Sequence, residues 1–130
     1  MSLQPVWQEI RSKAKCHGCP LEGEGVPLII ETQEFNKIRI MVITEGPNRR
    51  IDRNFLTLIA NHPMFTFLFS LFGGSFKPTG SSANAYWTHV RKCFIDGNIE
   101  KGRRALKPCS DAYLESEIEV LKPKLIVAVG

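Results

Sequence analysis

The sequence has no apolar run of signal-peptide length and no stretch that approaches the roughly eighteen apolar residues of a membrane span. It also has no internal repeat and no long low-complexity tract, which argues against a solenoid or a disordered linker. Cysteine is scarce, with 4 residues in 130. We expect a cytoplasmic chain, and in that reducing compartment a few cysteines indicate metal ligands or core residues rather than disulfides.

The overall composition is typical of one globular domain of modest size, or of part of a larger one. Apolar residues make up 43% of the chain and charged residues 23%. Lys and Arg exceed Asp and Glu by 17 to 13, a formal net charge of +4. This excess favours a polyanionic partner only weakly, because many proteins that bind no nucleic acid are equally basic.

Apolar runs rich in β-branched residues predict three strands, over residues 38–44, 86–94 and 124–130. Between them, helical periodicity predicts two short helices within 55–72 and one helix over 110–122. Strands that alternate with helices in this way predict an α/β fold built on a parallel sheet.

Three further predictions concern the connecting segments. Pro5–Ala14 is predicted as a helix that delivers the chain to Cys16, and residues 95–108 as an exposed basic loop. Ser110 and Asp111 are predicted to start the last helix. Its apolar face is predicted from Leu114, Ile118 and Leu121, with three glutamates largely turned outward: Glu115, Glu117 and Glu119.

The last predicted strand, residues 124–130, has no helix after it in the chain. An uncovered parallel strand leaves apolar surface and a bare edge exposed. We therefore expect residues 1–130 to form a single domain that is cut short at its C-terminus, or one that a partner completes.

Glu45 directly follows the strongest predicted strand, Ile38–Thr44, at a turn that contains Gly46 and Pro47. Ligands of open α/β sheets bind in the crevice beyond the carboxyl ends of the strands. The position therefore favours a functional carboxylate. The alternative is a structural one, in which Glu45 accepts hydrogen bonds from the N-terminus of the next helix.

The four cysteines form a pattern of their own. Cys16 and Cys19 make a C-x-x-C pair, and Cys93 and Cys109 stand sixteen positions apart. Two thiolates on one turn can bind one metal centre, and a distant pair can complete the set if the fold brings it close. The alternative is that the cysteines are ordinary thiols and that the C-x-x-C spacing arose by chance. His17, between the first two cysteines, is either a substitute ligand or a solvent-facing side chain.

The segments CHGC, VITEGPN, YWTHVRKC, a cysteine sixteen residues later and LKPKLIVAVG, in this order, resemble the iron-sulfur uracil-DNA glycosylases, the family 4 branch of that superfamily. The resemblance spans essentially the whole chain. It implies a three-layer α/β/α fold with a four-stranded parallel sheet, whose fourth strand is expected beyond Gly130. It also implies hydrolysis of the N-glycosidic bond of deoxyuridine in DNA.

The same resemblance implies ligands and site residues. A [4Fe-4S] cluster, with zinc as the alternative metal, would be held by all four cysteines: Cys16, Cys19, Cys93 and Cys109. Glu45 would position or activate the attacking water, and Gly46 and Pro47 would shape the turn beside the sugar. Asn48 ends that turn. Phe55 would stack on the flipped base, although a core position is its alternative reading.

The sequence departs from the family pattern in three places. Thr44 and Asn48 replace glycines of the first motif, and Asn is the next most tolerant residue at a sharp turn. His89 stands where the family has an asparagine that reads the uracil edge, so either another damaged base or a structural role is open. The family's second motif would lie beyond Gly130, so we expect poor catalysis, or none, from this chain alone.

Four basic residues lie between the third and fourth cysteines: Lys101, Arg103, Arg104 and Lys107. A cluster would hold both ends of this segment and let it contact successive DNA phosphates. The alternative is a solvated charged loop. The leading hypothesis is thus a DNA glycosylase domain, and its competitor is a non-catalytic nucleic-acid-binding module with a structural iron-sulfur cluster. A zinc-stabilised α/β protein with a small-molecule ligand is a third reading.

Overall fold

The computed structural model describes residues 2–29, 38–47, 63–72, 84–94, 97 and 99–129. The helices within this part of the chain are α1 (Gln4–Ser12), α2 (Pro63–Phe72), α3 (Ile99–Arg104), α4 (Leu106–Cys109), a π-helix (Ser110–Leu114) and α5 (Glu115–Leu121). The strands are β1 (Val26–Pro27), β2 (Ile40–Thr44), β3 (Ala85–His89), β4 (Cys93–Phe94) and β5 (Leu125–Ala128).

The described strands form a parallel sheet in the order β3-β2-β5 and a small antiparallel pair, β1 with β4. Strand β2 is central, and its Val42 lies beside Trp87 of β3 and Val127 of β5. Every residue of β2 and β3 is buried, as the apolar run around residues 40–44 predicted. The predicted α/β fold with a parallel sheet is therefore confirmed.

Helices pack on both faces of this sheet, because alternate residues of a strand point to opposite sides. On one face Met41 and Ile43 pack with Trp7 and Ile10 of α1 and with Tyr113 near α5. On the other face a second cluster comprises side chains of β2 and β3 with Leu68 of α2: Ile40, Val42, Ala85, Trp87 and Leu68. The described residues thus form three layers.

The first helix ends at a residue in the left-handed backbone conformation. Pro5 occupies the first turn of α1, where its missing N–H costs nothing, and Lys13 adopts a left-handed conformation with φ of 55°. The N–H of Lys13 then donates to the carbonyl of Ile10 at 3.1 Å. Residues after Lys13 can therefore turn sharply toward the first pair of cysteines.

Residues 86–94 do not form one strand, which corrects the sequence prediction. Strand β3 ends at His89, and the following residues bend over the end of β2: the N–H groups of Val90 and Arg91 donate to the carbonyls of Thr44 and Glu45 at 2.8 and 2.9 Å. The chain then joins β1 through β4. The apolar pattern missed this break because both halves are buried.

Residues 99–109 are helical, so the predicted basic loop is wrong for the described part of that segment. Gly102 and Ala105 are buried, which gives α3 and the start of α4 an inner face that the basic composition concealed. Ser110 is the first residue of the π-helix, but it does not begin a separate helix, because the helical backbone continues into it from Cys109. Pro108 fits because it lies in the first turn of α4, where backbone N–H groups have no intrahelical acceptor.

Strand β5 is parallel to β2 as predicted, but it is not buried on both faces. Leu125 and Ile126 are 43% and 44% exposed in the part of the chain that the structure describes. None of the helices described here has the length and apolar character needed to cross a membrane.

Candidate metal pocket and strand-end site

All four cysteines line one pocket, together with apolar residues of α1 and the π-helix. Cys16 and Cys19 come from the turns after α1, Cys93 is the first residue of β4, and Cys109 ends α4. The pocket holds about 400 Å³ of empty space, its opening to solvent included. The structure therefore brings together side chains from distant parts of the chain, although C-x-x-C spacing alone could not show it.

Two local features bring the loop of Cys16 and Cys19 against β4. The N–H of Cys19 donates to the carbonyl of Cys16 at 3.1 Å, which closes a tight turn. Gly25 then passes so near Cys93 that a Cβ atom added to the glycine would lie 2.7 Å from the Cys93 Cβ. A larger residue at position 25 would therefore push the chain away from the pocket.

Two of the four sulfur atoms have hydrogen-bond partners in the described structure. The N–H of Lys92 donates to Sγ of Cys109 at 3.1 Å, and the Tyr113 hydroxyl lies 3.2 Å from Sγ of Cys16. Such contacts are common around metal-bound thiolates, where they stabilise negative charge on sulfur. Tyr113 reaches the pocket from the π-helix, a rare element that is often found at functional sites.

Burial, together with the charge of the nearby Cys109, raises the pKa of the Cys93 thiol to about 12. Burial also raises the pKa of Cys109, although the hydrogen bond from the Lys92 backbone lowers it in part. The pKa of Tyr113 is raised by burial and by its hydrogen bond with Cys16. Thiolates so close together repel each other unless a cation is bound between them.

The donor set fits a thiolate-bound metal centre in residue type. Among the described residues, the pocket lining contains four cysteines and no Asp, Glu or His, and sulfur is the ligand that both iron-sulfur clusters and structural zinc prefer. Within the described ranges, however, no three His, Cys, Asp or Glu side chains stand close enough to hold a metal ion. The cysteines thus share a pocket without forming a preassembled coordination sphere. His17 is exposed and lies 3.4 Å from a carboxylate oxygen of Glu22.

A buried ion pair lies behind the pocket. Glu117 is 0% exposed and pairs with Lys92, which is itself buried. The hydroxyls of Tyr86 and Thr88 also donate to this carboxylate, and Trp7 donates to the Tyr86 oxygen at 3.0 Å. Burial and the Glu117 charge raise the pKa of Tyr86 well above its usual value. These contacts satisfy a carboxylate that would otherwise be costly to bury.

The outward position predicted for Glu117 is therefore wrong, whereas Glu115 and Glu119 are exposed as expected. Helix geometry offered a signal, because Glu117 is three residues after Leu114 and four before Leu121, both of which are buried. Because glutamate is charged, the sequence reasoning placed Glu117 on the exposed face of the helix. Its partner Lys92 was not identifiable from the sequence.

The ends of β2 and β3 form the strand-end site. Glu45 is exposed in the bend after β2, followed by half-buried Gly46 and buried Pro47. His89 is the buried last residue of β3 and pairs in register with Thr44, whose hydroxyl lies 2.5 Å from His89 Nδ1. The structure therefore places Glu45 and His89 at the same edge of the sheet. The predicted base contacts of Asn48 and Phe55 lie outside the described residues.

Arg91, which the sequence reasoning missed, touches both sites. Its Nε donates to the carbonyl of Cys93 at 3.0 Å, and its Nη2 donates to the carbonyl of Pro47 at 3.3 Å. A Cβ atom added to Gly46 would lie 2.5 Å from Nη2. A larger residue at position 46 would therefore displace the end of the Arg91 side chain.

The four predicted DNA-backbone residues differ in their surroundings. Lys101 pairs with Glu24 at 2.5 Å, and Lys107 pairs with Asp111 at 2.8 Å. The Asp111 hydrogen bond and charge raise the pKa of Lys107. Arg103 and Arg104 are exposed on α3. The structure thus separates two lysines that have acidic neighbours from two exposed arginines.

Comparison of the chain with protein-family models gives no match, and comparison with curated proteins gives none either. The fold and the pocket define a mixed α/β protein in which four cysteines converge beside the carboxyl ends of parallel strands.

Proposed function

We propose that the chain is a DNA glycosylase-like domain that hydrolyses the N-glycosidic bond of uracil or a related deaminated base in DNA. One observation carries the proposal: four cysteines spaced as in the iron-sulfur uracil-DNA glycosylases line a single pocket. The strand-end turn with Glu45 and His89 supports it, because open α/β sheets bind ligands at such ends. A cytoplasmic location fits thiols that serve as ligands.

The proposed cofactor is a [4Fe-4S] cluster, with zinc as the alternative, held by Cys16, Cys19, Cys93 and Cys109. When bound, it would cross-link three segments of the chain and order them for DNA contact. Lys92 and Tyr113 support this role through their contacts with Cys109 and Cys16. The helices between Cys93 and Cys109 would thereby be anchored at both ends.

Glu45 is the residue we assign to the attacking water. Its carboxylate is exposed at the end of β2, where a flipped nucleotide could reach it. Bond cleavage leaves negative charge on the base and positive character on the sugar, so a carboxylate stabilises the sugar while it orients water. Gly46 and Pro47 hold the adjoining turn.

His89 is proposed to read the edge of the base. Thr44 contacts Nδ1, and a neutral imidazole carries one donor and one acceptor on different ring atoms. An asparagine amide offers both at once. The proposed substrate therefore includes deaminated bases besides uracil, such as hypoxanthine and xanthine.

The proposal is tested by single-turnover assays with oligonucleotides that contain uracil, hypoxanthine or xanthine, in single- and double-stranded form. We expect slow formation of abasic product by this chain and a further loss of at least about 100-fold in rate for Glu45→Gln, the range of a positioned acid-base group. Glu100→Gln, which alters an exposed carboxylate on α3, is the control.

Equal rates for Glu45→Gln and the parent chain would remove Glu45 from the mechanism. DNA binding without abasic product from any of the three bases would favour the alternative function, a nucleic-acid-binding module of the same fold. The exposed Arg103 and Arg104 favour that alternative, because phosphate contacts need no catalytic site.

A further inference from the structure

Arg91 is the only side chain for which the described contacts reach from the cysteine pocket to the Glu45 turn. It lines the pocket beside the four cysteines. Its Nε donates to the carbonyl of Cys93, a proposed ligand, and its Nη2 donates to the carbonyl of Pro47, two residues after Glu45. The guanidinium of Arg91 therefore connects the cysteine pocket to the Glu45 turn.

The backbone of Arg91 adds a second connection to the same turn. Its N–H donates to the carbonyl of Glu45 at 2.9 Å, which extends the β2–β3 pairing past the end of the strands. The guanidinium meanwhile packs on Gly46 so closely that a Cβ atom there would displace the end of the Arg91 side chain. Arg91 therefore contacts the turn through both its backbone N–H and its side chain.

We propose that Arg91 is a positioning residue that transmits metal occupancy of the cysteine pocket to the geometry of the Glu45 turn. A metal centre bound to Cys93 would fix the position of the Cys93 carbonyl, to which Nε of Arg91 donates. Because the guanidinium is rigid and planar, the position of Nη2 and its hydrogen bond to the Pro47 carbonyl would then be fixed as well. Arginine suits this task because its donors keep a constant mutual geometry, whereas a lysine provides a single mobile ammonium. The inference rests on the metal-binding part of the proposed function, and it does not require base excision.

The test compares the metal-free chain with the same chain loaded with Cd²⁺, a thiolate-binding probe. Hydrogen exchange and NMR resonances of the Glu45 and Gly46 amides report the turn, and the Arg91 Nε–H resonance reports its hydrogen bond. We expect Cd²⁺ to slow exchange of these amides by about fivefold to tenfold, which corresponds to roughly one hydrogen bond.

Arg91→Lys should bind Cd²⁺ with the stoichiometry of the parent chain but lose the slowing of exchange. Lys15→Gln is the matched control, because Lys15 lines the same pocket while its ammonium pairs with Glu9. That variant should keep the full effect.

Several outcomes overturn the inference. Cd²⁺ that fails to bind, binding that leaves the turn unchanged, or an Arg91→Lys variant that responds like the parent chain would each do so. If Arg91→Lys cannot bind Cd²⁺, Arg91 acts in metal binding rather than in transmission to the turn, and the inference is overturned as well. Because no assay here measures abasic sites, a failed glycosylase proposal remains distinguishable from a failed inference.

Discussion

The hydroxyl of Thr44 lies 2.5 Å from Nδ1 of His89, and this contact joins the carboxyl ends of β2 and β3. Both residues differ from the glycosylases that the sequence resembles, in which the positions are glycine and asparagine. The two departures are therefore one structural unit. A threonine hydroxyl at this distance from Nδ1 restrains both the orientation and the tautomer of the imidazole ring.

We expect Thr44→Val to change the tautomer ratio of His89, as measured by ¹⁵N chemical shifts of the ring, and to destabilise the chain by about 1 kcal/mol, the value of one hydrogen bond. A double-mutant cycle with His89→Asn isolates the pair. Additive effects of the two substitutions on the free energy of unfolding would show that the contact contributes nothing.

The Lys92–Glu117 pair is expected to be the most sensitive polar contact described in the core. Lys92→Met should lower the free energy of unfolding by about 3–5 kcal/mol, because it leaves a buried carboxylate without its cation. Lys92→Met combined with Glu117→Leu should cost less than the single change. Urea unfolding measures both.

Glu119→Gln is the control for that experiment, since Glu119 is exposed two residues further along α5. It should change stability by less than about 0.5 kcal/mol. A loss as small as this for Lys92→Met would contradict the structural importance of the pair.

Stability of the metal-free chain should fall at alkaline pH because of Cys93. Its thiol has a pKa of about 12 in the folded chain, well above the value of an unfolded cysteine, so folding favours the protonated form. The stabilisation is complete below the unfolded pKa and is lost as pH rises toward 12. Urea unfolding of the chain and of Cys93→Ala between pH 8 and pH 12 measures it.

The matching measurement is alkylation with iodoacetamide at pH 8. The Cys93 thiol should react more slowly than a free cysteine, because the thiolate is the reactive form. Mass spectrometry after digestion identifies the modified residue. Cys93 that reacts as fast as the denatured chain would show that its thiol is not shielded.

DNA binding should depend more on the two exposed arginines than on Lys107. Replacing Arg103 and Arg104 with Ala should reduce the slope of log affinity against log salt by about 1.4–1.8, since each phosphate contact contributes roughly 0.7–0.9. Lys107→Ala should have a smaller effect because its ammonium is paired with Asp111. Fluorescence anisotropy at several salt concentrations measures the slopes, and equal slopes for all variants would exclude α3 from the DNA interface.

Local sequence patterns were enough to predict several elements of the fold. The apolar run before Glu45 forms the central strand β2, Pro5 lies in the first turn of the helix that precedes Cys16, and Lys122 ends the last helix with φ of 46°. Each of these features depends on neighbours in the chain, so local patterns were sufficient. The basic residues of 99–104 led to the wrong prediction of a loop, because a highly charged segment that contains glycine does not look like a helix with a buried residue.

The contacts between distant side chains could not be predicted from local patterns. The pairing of Lys92 with Glu117, the contact of Thr44 with His89 and the bridge of Arg91 between Pro47 and Cys93 all join separate elements. The convergence of four cysteines on one pocket is of the same kind. The physical reason is that a buried polar group is stable only when a partner satisfies it, and that partner is chosen by packing in space rather than by spacing along the chain.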